Sequence, residues 1–305
     1  MTRCESGFKA RTWFMAAVLV ALMAGCGSRD EIFGTTTGAA GAGGPGPAGA
    51  APALGAAAPF GFFSSAALTN DGLATVITGD AGTTSTASSV TGFTDGGGTP
   101  FTVTGSNNGL VTGTIFTSDV PLADGGATAT AVRAAALAAF NNLSPAARPG
   151  GLDVTTNSLV GGGGLPGELG GRTLAPGIYY SAAGGVSTYA ITTGDLTLDA
   201  GGNANAVWVF QMDSSLTVGL AGLPRSVILA GLAQPKNVFW YAPAGATINA
   251  DNTTGSGTMV GTIVSDASIT FATVGNPCCT TLEGRALVLT AGATMNNTII
   301  NVPAP

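Results

Sequence analysis

Four cysteines, two closely spaced aspartates and a glycine-rich run are the first residues of this chain to weigh as chemistry. Cys26 follows Leu22-Met23-Ala24-Gly25, at the end of an apolar run over residues 13–23 that itself follows Arg3, Lys9 and Arg11. That order is expected for an export leader closing on a bacterial lipobox, with Met23 where Leu is usual. Cys26 would then be cleaved to the N-terminus and acylated. The run is short for a membrane span, an uncleaved anchor or a conventional leader being the alternatives. Gly27 and Ser28 after the cysteine, in place of Asp, point to the outer membrane or cell surface, with lipid as the only membrane contact. The adjacent pair Cys278 and Cys279 either closes a strained vicinal disulfide in an oxidising compartment or remains as two small residues, and the sequence leaves both open.

Catalytic readings of the remaining residues are weak. Asp195 and Asp199 lie on one face of an expected strand and formally make a carboxylate pair, but solvated strand-end residues are the better reading than glycosidase-like chemistry. Residues 162–167 fit G-x-G-x-x-G, yet Pro166 and the missing strand–helix context leave a loop, and no Gly-Lys-Ser/Thr supplies a phosphate lysine. Histidine is absent, which removes histidine triads and histidine metal sites. The aromatics Trp208, Phe210, Phe239, Trp240 and Tyr241 sit in apolar runs and read as core before they read as a sugar platform. The expectation is a protein that is not an enzyme and takes no cofactor and no metal.

Composition says what kind of surface must exist instead. Only 9% of the residues are charged, and lysine occurs only as Lys9 and Lys236, so Thr, Ser, Asn and Gly have to cover the exterior. The net charge of −6 becomes −8 once a leader carrying Arg3, Glu5, Lys9 and Arg11 is removed, which argues against nucleic acid as a partner.

Five segments share the order apolar, Thr, apolar, small or polar: residues 196–199, 216–219, 246–249, 269–272 and 293–296. Alternation across a strand puts their Thr residues on one side and their apolar neighbours on the other. They recur every 20–30 residues, the period of a solenoid coil carrying one short strand per turn. More apolar strands lie between them, at residues 206–210, 227–229, 238–241, 259–264 and 285–289, and would form the other walls. A β-sandwich is the rival arrangement. Residues 127–143 break the pattern. They are Ala-rich, lack Gly and Pro, and place Val132, Ala136, Phe140 and Leu143 on one face, which predicts a single helix against the solenoid. Residues 31–59 are nearly all Gly, Ala, Pro and Thr. The expected organisation is therefore leader 1–25, flexible tether 26–59 and one β domain over 60–305.

The ordered segments Leu68-Thr69-Asn70-Asp71-Gly72, Ile77-Thr78-Gly79-Asp80-Ala81-Gly82, Leu174-Ala175-Pro176-Gly177-Ile178-Tyr179, Asp195-Leu196-Thr197-Leu198-Asp199-Ala200, Asn205-Ala206-Val207-Trp208-Val209-Phe210-Gln211, Asn237-Val238-Phe239-Trp240 and Gly284-Arg285-Ala286-Leu287 resemble the ice-binding-like family of microbial secreted proteins. The resemblance implies a mostly β fold, a discontinuous right-handed β-solenoid of triangular section with one long α-helix packed alongside. It also implies antifreeze-type adsorption to ice through one flat face, as a monomer, slowing ice growth or recrystallisation or holding the cell to ice. The candidate contacts are Thr197, Thr217, Thr247, Asn249, Thr270, Thr294 and Asn296. A cell-surface adhesion or envelope protein with no affinity for ice is the alternative on the same fold, and a carbohydrate-processing β-helix enzyme is a further rival. The Gly-rich stretches at 96–98 and 161–164 have no place in the family pattern.

Overall fold

The computed structural model describes residues 46–154, 167–181, 189–249, 257–271 and 279–304. The leader, the lipobox with Cys26, the greater part of the tether, residues 161–164 and Cys278 lie outside the described residues.

Short strands run almost entirely parallel, stacked rung on rung in three sheets, which excludes a sandwich. They form the three walls of a solenoid: the seven-stranded sheet is the first, the fourteen-stranded sheet spans the other two, and the short sheet of Thr173–Leu174, Leu196–Asp199 and Val227–Ala230 continues the third beside Thr258. The first wall is a seven-stranded sheet in the order Tyr189–Ile191, Leu216–Val218, Ala246–Ile248, Ile269–Phe271, Ala293–Met295, Leu68–Asn70 and Val90–Thr91. The coil is discontinuous in sequence: Thr69 pairs in register with Thr294, and Val76 with Ile299, so the chain's early strands continue the stack begun by its late ones.

The second and third walls share two long strands, Thr258–Ser265 and Thr280–Val288. Each turns a corner at a glycine. Gly261 adopts φ +103°, and a Cβ at Gly284 would lie 1.9 Å from the Gly261 carbonyl oxygen, so neither position accepts a side chain. The first half of Thr280–Val288 pairs with Thr298–Asn301 on the third wall, and its last residues pair with Phe60–Ser64 on the second.

The second wall carries the helix, α1, Ala127–Leu143. Its strands are buried on both sides, which is why Phe60–Ser64 and Trp208–Gln211 read as unbroken apolar runs instead of alternating ones. Inward, Tyr179, Phe210 and Trp240 stack at centroid distances of 5.4 and 4.0 Å. Outward, Phe63, Val209, Phe239, Val264 and Leu287 pack with Val132, Ala136 and Leu143 of α1. Small Ala129, Ala136 and Ala139 make up much of the buried stripe and let the helix lie close to the sheet. Phe140 departs from the expectation: it is half-buried at the margin, with its ring 4.4 Å from that of Tyr241. The helix starts after Gly126, where Asp124 accepts from the Thr128 backbone N–H (3.0 Å) and hydroxyl (2.8 Å), and ends where Ser144 donates to Asn141 O ahead of Pro145.

The stretch read as tether is packed from residue 46 onward. Ile178 N donates to Gly46 O, the Arg148 guanidinium donates to the Ala48 and Ala50 carbonyls, and Ala57 is fully buried in a short 3-10 turn. Gly and Ala composition alone conceals this, because backbone carbonyls and one methyl make the contacts. At one end of the stack, Phe93–Thr94 pairs antiparallel with Pro100–Phe101, and residues 96–98 are the turn between them. That hairpin covers a sheet edge.

Candidate functional site

Each strand of the first wall has only three residues or fewer, with the flanking two buried and the central one outward. Pairing in register puts the central residues in one file: Ala190, Thr217, Thr247, Thr270, Thr294, Thr69 and Thr91. Neighbouring rungs are about 4.8 Å apart in a β-stack. Among the described residues, none of these six Thr hydroxyls has a hydrogen-bonding partner in the protein, so all six are left to water. Some threonines elsewhere are engaged internally, as where Thr75 donates to Asn70 and Thr117 to Asp119, while the buried hydroxyls of Thr262 and Thr280 have no partner.

The file is flanked on one side by Ser215, Gly245, Ser268, Gly292, Ala67 and Ser89, all small, as the backbone bonds Leu216 N to Gly245 O, Ala246 N to Ser268 O and Ala293 N to Ala67 O require. On the other side stand Gly219, Asn249, Asn296 and Asp71. With about 3.3 Å per residue, these rows sit about 6.6 Å either side of the Thr file. The branched threonines therefore stand as a single file between a row of Ser, Gly and Ala on one side and the edge row of Gly219, Asn249, Asn296 and Asp71 on the other.

Of the expected site residues, Thr217, Thr247, Thr270 and Thr294 are brought together. Asn249 and Asn296 lie at the wall's edge, where Asn249 also donates its amide to Gly219 O at 3.0 Å and so closes a corner. Thr197 is not brought together with them: it pairs with Thr173 and Ile228 in a separate three-stranded sheet, and the file position in that coil belongs to Ala190. Alternation distinguishes inside from outside but not one wall from another, so an apolar-Thr-apolar segment fits either. Thr69 and Thr91 are additions. They lie some two hundred residues upstream of the rungs they extend, and nothing local in Leu68-Thr69-Asn70 announces that pairing.

The other chemical readings resolve into structure. Asp195 accepts from Ser226 N of the adjacent coil at 2.8 Å, and Asp199 closes a turn by accepting from Gly201 N at 2.9 Å. Trp208, Phe210, Phe239 and Trp240 are buried, with the indole N–H groups donating to Leu174 O and Val260 O. Tyr241 is half-buried against Phe140. Glu168, unmarked in the sequence, is 3% exposed and caps an end coil by accepting from the backbone of Gly170 and Thr192. Burial lowers the Arg285 pKa and raises that of Tyr189. Cys279 is disulfide-bonded and lies beside Ala74 O. The packed N-terminal segment, residues 46–59, is a strap along the coil, and a depression of about 520 Å³ between it and Arg148 is lined by Ala, Pro, Gly, Asn142 and Ile178, with no carboxylate or nucleophile. Among the described residues no group of His, Cys, Asp or Glu is arranged to hold a metal, and no helix is long and apolar enough to cross a membrane.

A discontinuous parallel solenoid, a helix along one wall and a file of unengaged threonines on another define a protein whose distinctive feature is a surface and not a pocket. The chain belongs to the ice-binding-like family, whose model matches residues 62–301. An ice-binding protein of Nostoc sp. (strain HG1) is 34% identical over 245 residues, covering 80% of this chain and 71% of the relative. One from Flavobacterium frigoris (strain PS1) is 32% identical over 133 residues, 44% of this chain and 41% of the relative. Among solved structures, an ice-binding protein domain of Shewanella frigidimarina superposes with a TM-score of 0.63 at 26% identity, covering 84% of this chain and 98% of that one. A glycosylated ice-binding protein from an Arctic yeast gives 0.63 at 26% identity, over 84% and 95%.

Proposed function

We propose that this protein adsorbs to ice through the threonine wall, centred on Thr217, Thr247, Thr270 and Thr294. The observation that carries the reading is the in-register file of Thr hydroxyls without protein partners. β-Branching restricts χ1, so the methyls and hydroxyls are held as a stiff array before contact. Water bridging such an array is already ordered and can be shared with a crystal at little further entropic cost. Adsorbed molecules pin the ice front, which must curve between them, and growth or recrystallisation slows. Kinship with proteins named for ice binding supports the same reading.

The leader and Cys26 support export and a lipid anchor at the outer membrane or cell surface, so that adsorption would hold the cell to ice. Labelling by a palmitate analogue is expected for the wild type and not for Cys26→Ala. The adsorption itself is tested by slowly freezing a solution of residues 46–305. The protein is expected to enter the growing ice while an inert protein is left in the liquid. Exclusion from the ice would pass the fold to adhesion or envelope structure without ice affinity.

A further inference from the structure

Asp71 is the one ionisable side chain among the described outward residues of the threonine wall. Its N–H donates to Met295 O at 2.9 Å, which carries the rung register through it and sets it beside Asn296 in the edge row. It is exposed, and among the described residues its carboxylate accepts no hydrogen bond. Nor can the backbone swing it away. The preceding Asn70 is fully buried, and its side chain donates to Gly72 O (2.7 Å) and Gly92 O (2.8 Å) while accepting from Gly72 N and Thr75 Oγ1. The segment on both sides of Asp71 is thereby stapled to the coil.

We infer that Asp71 sets where the ice contact ends, confining it to the rungs of Thr217, Thr247, Thr270 and Thr294 and leaving Thr69 and Thr91 outside. This rests on the adsorption reading above. An ionised carboxylate is costly to strip of water, and its shell of inward-turned hydrogens does not match water set by a neutral hydroxyl array. The side chain sits one rung from Thr294's row and on the same strand as Thr69, so ice brought over the last two rungs would have to displace that shell. The stiff, neutral rungs on the other side of Thr294 carry no such group. The file thus has six threonines but a working length of four.

The test uses the mature chain and measures the lowest concentration that inhibits ice recrystallisation, with thermal unfolding as the folding control. Asp71→Asn, which keeps the shape and removes the charge, should lower that concentration several-fold, as should Asp71→Ser. Thr91→Lys should change nothing in the wild type, yet erase the gain when combined with Asp71→Asn. Thr270→Lys should raise the concentration strongly in either background. If Thr91→Lys weakens the wild type as much as Thr270→Lys does, the contact covers the whole file and the inference fails. It also fails if both uncharged variants at position 71 behave as wild type. A wild type with no activity in any arm removes the adsorption reading along with it.

Discussion

At the level of single residues, adjacent positions on one strand have opposite duties. Thr247 is outward and in the file, whereas Ile248 is 1% exposed inside the coil. Thr247→Lys should change stability by less than about 1 kcal/mol. Ile248→Asp places an unpaired charge in the core and should cost about 3 kcal/mol or more, enough to abolish a cooperative melt in a marginal protein. Thermal unfolding of the two variants separates them, and equal losses would mean the strand is not oriented as described. Arg285 presents the opposite case, a buried polar side chain with a structural role. Its Nε donates to Ala58 O at 2.8 Å and its Nη2 to Pro303 O at 3.2 Å, tying the strap and the C-terminal segment to the same strand. Arg285→Leu leaves both carbonyls unmet and should cost about 1–3 kcal/mol for each that water cannot reach, measured by denaturant unfolding.

Among the elements, α1 was legible in full, bounds included, because seventeen residues without Gly or Pro admit little else. Its orientation was less so. A helical wheel puts Phe140 and Leu143 on one side, but the aromatic ring rests on Tyr241 at the margin while Leu143 is fully buried. Leu143→Ala is therefore expected to cost about 2–5 kcal/mol and Phe140→Ala less, and the reverse order in urea unfolding would place the helix on a different face. Strands were readable as strands from alternation, and double-sided burial explains those that did not alternate. What alternation could not supply was the wall. Leu196-Thr197-Leu198 and Leu216-Thr217-Val218 are indistinguishable as patterns, yet they belong to different sheets. The corner glycines and the coil's irregular length decide the wall, and both depend on the stack.

For the whole molecule, the solenoid converts a weak sequence recurrence into a geometric one. Spacings of 22–30 residues along the chain become uniform rungs, because corners and excursions absorb the variable length while backbone pairing fixes the register. The rungs of Thr69 and Thr91 escaped a local reading for the same reason, since the register joins the two ends of the sequence. The helix closes one wall and the end hairpin covers an edge, while the threonine wall is left open to solvent.

On the proposed reading this wall, and no other, meets ice. The most direct measurement is partitioning of the mature chain into slowly growing ice with Thr270→Lys and Thr197→Lys compared against wild type, all three confirmed folded by their thermal midpoints. Thr270 and Thr197 are both outward threonines at the centre of an apolar-Thr-apolar strand, the first between Thr247 and Thr294 of the file and the second between Thr173 and Ile228 on another wall. Thr270→Lys is expected to be excluded from the ice while Thr197→Lys enters it as the wild type does. Retention of Thr270→Lys in the ice together with exclusion of Thr197→Lys would contradict it and move the contact to the third wall.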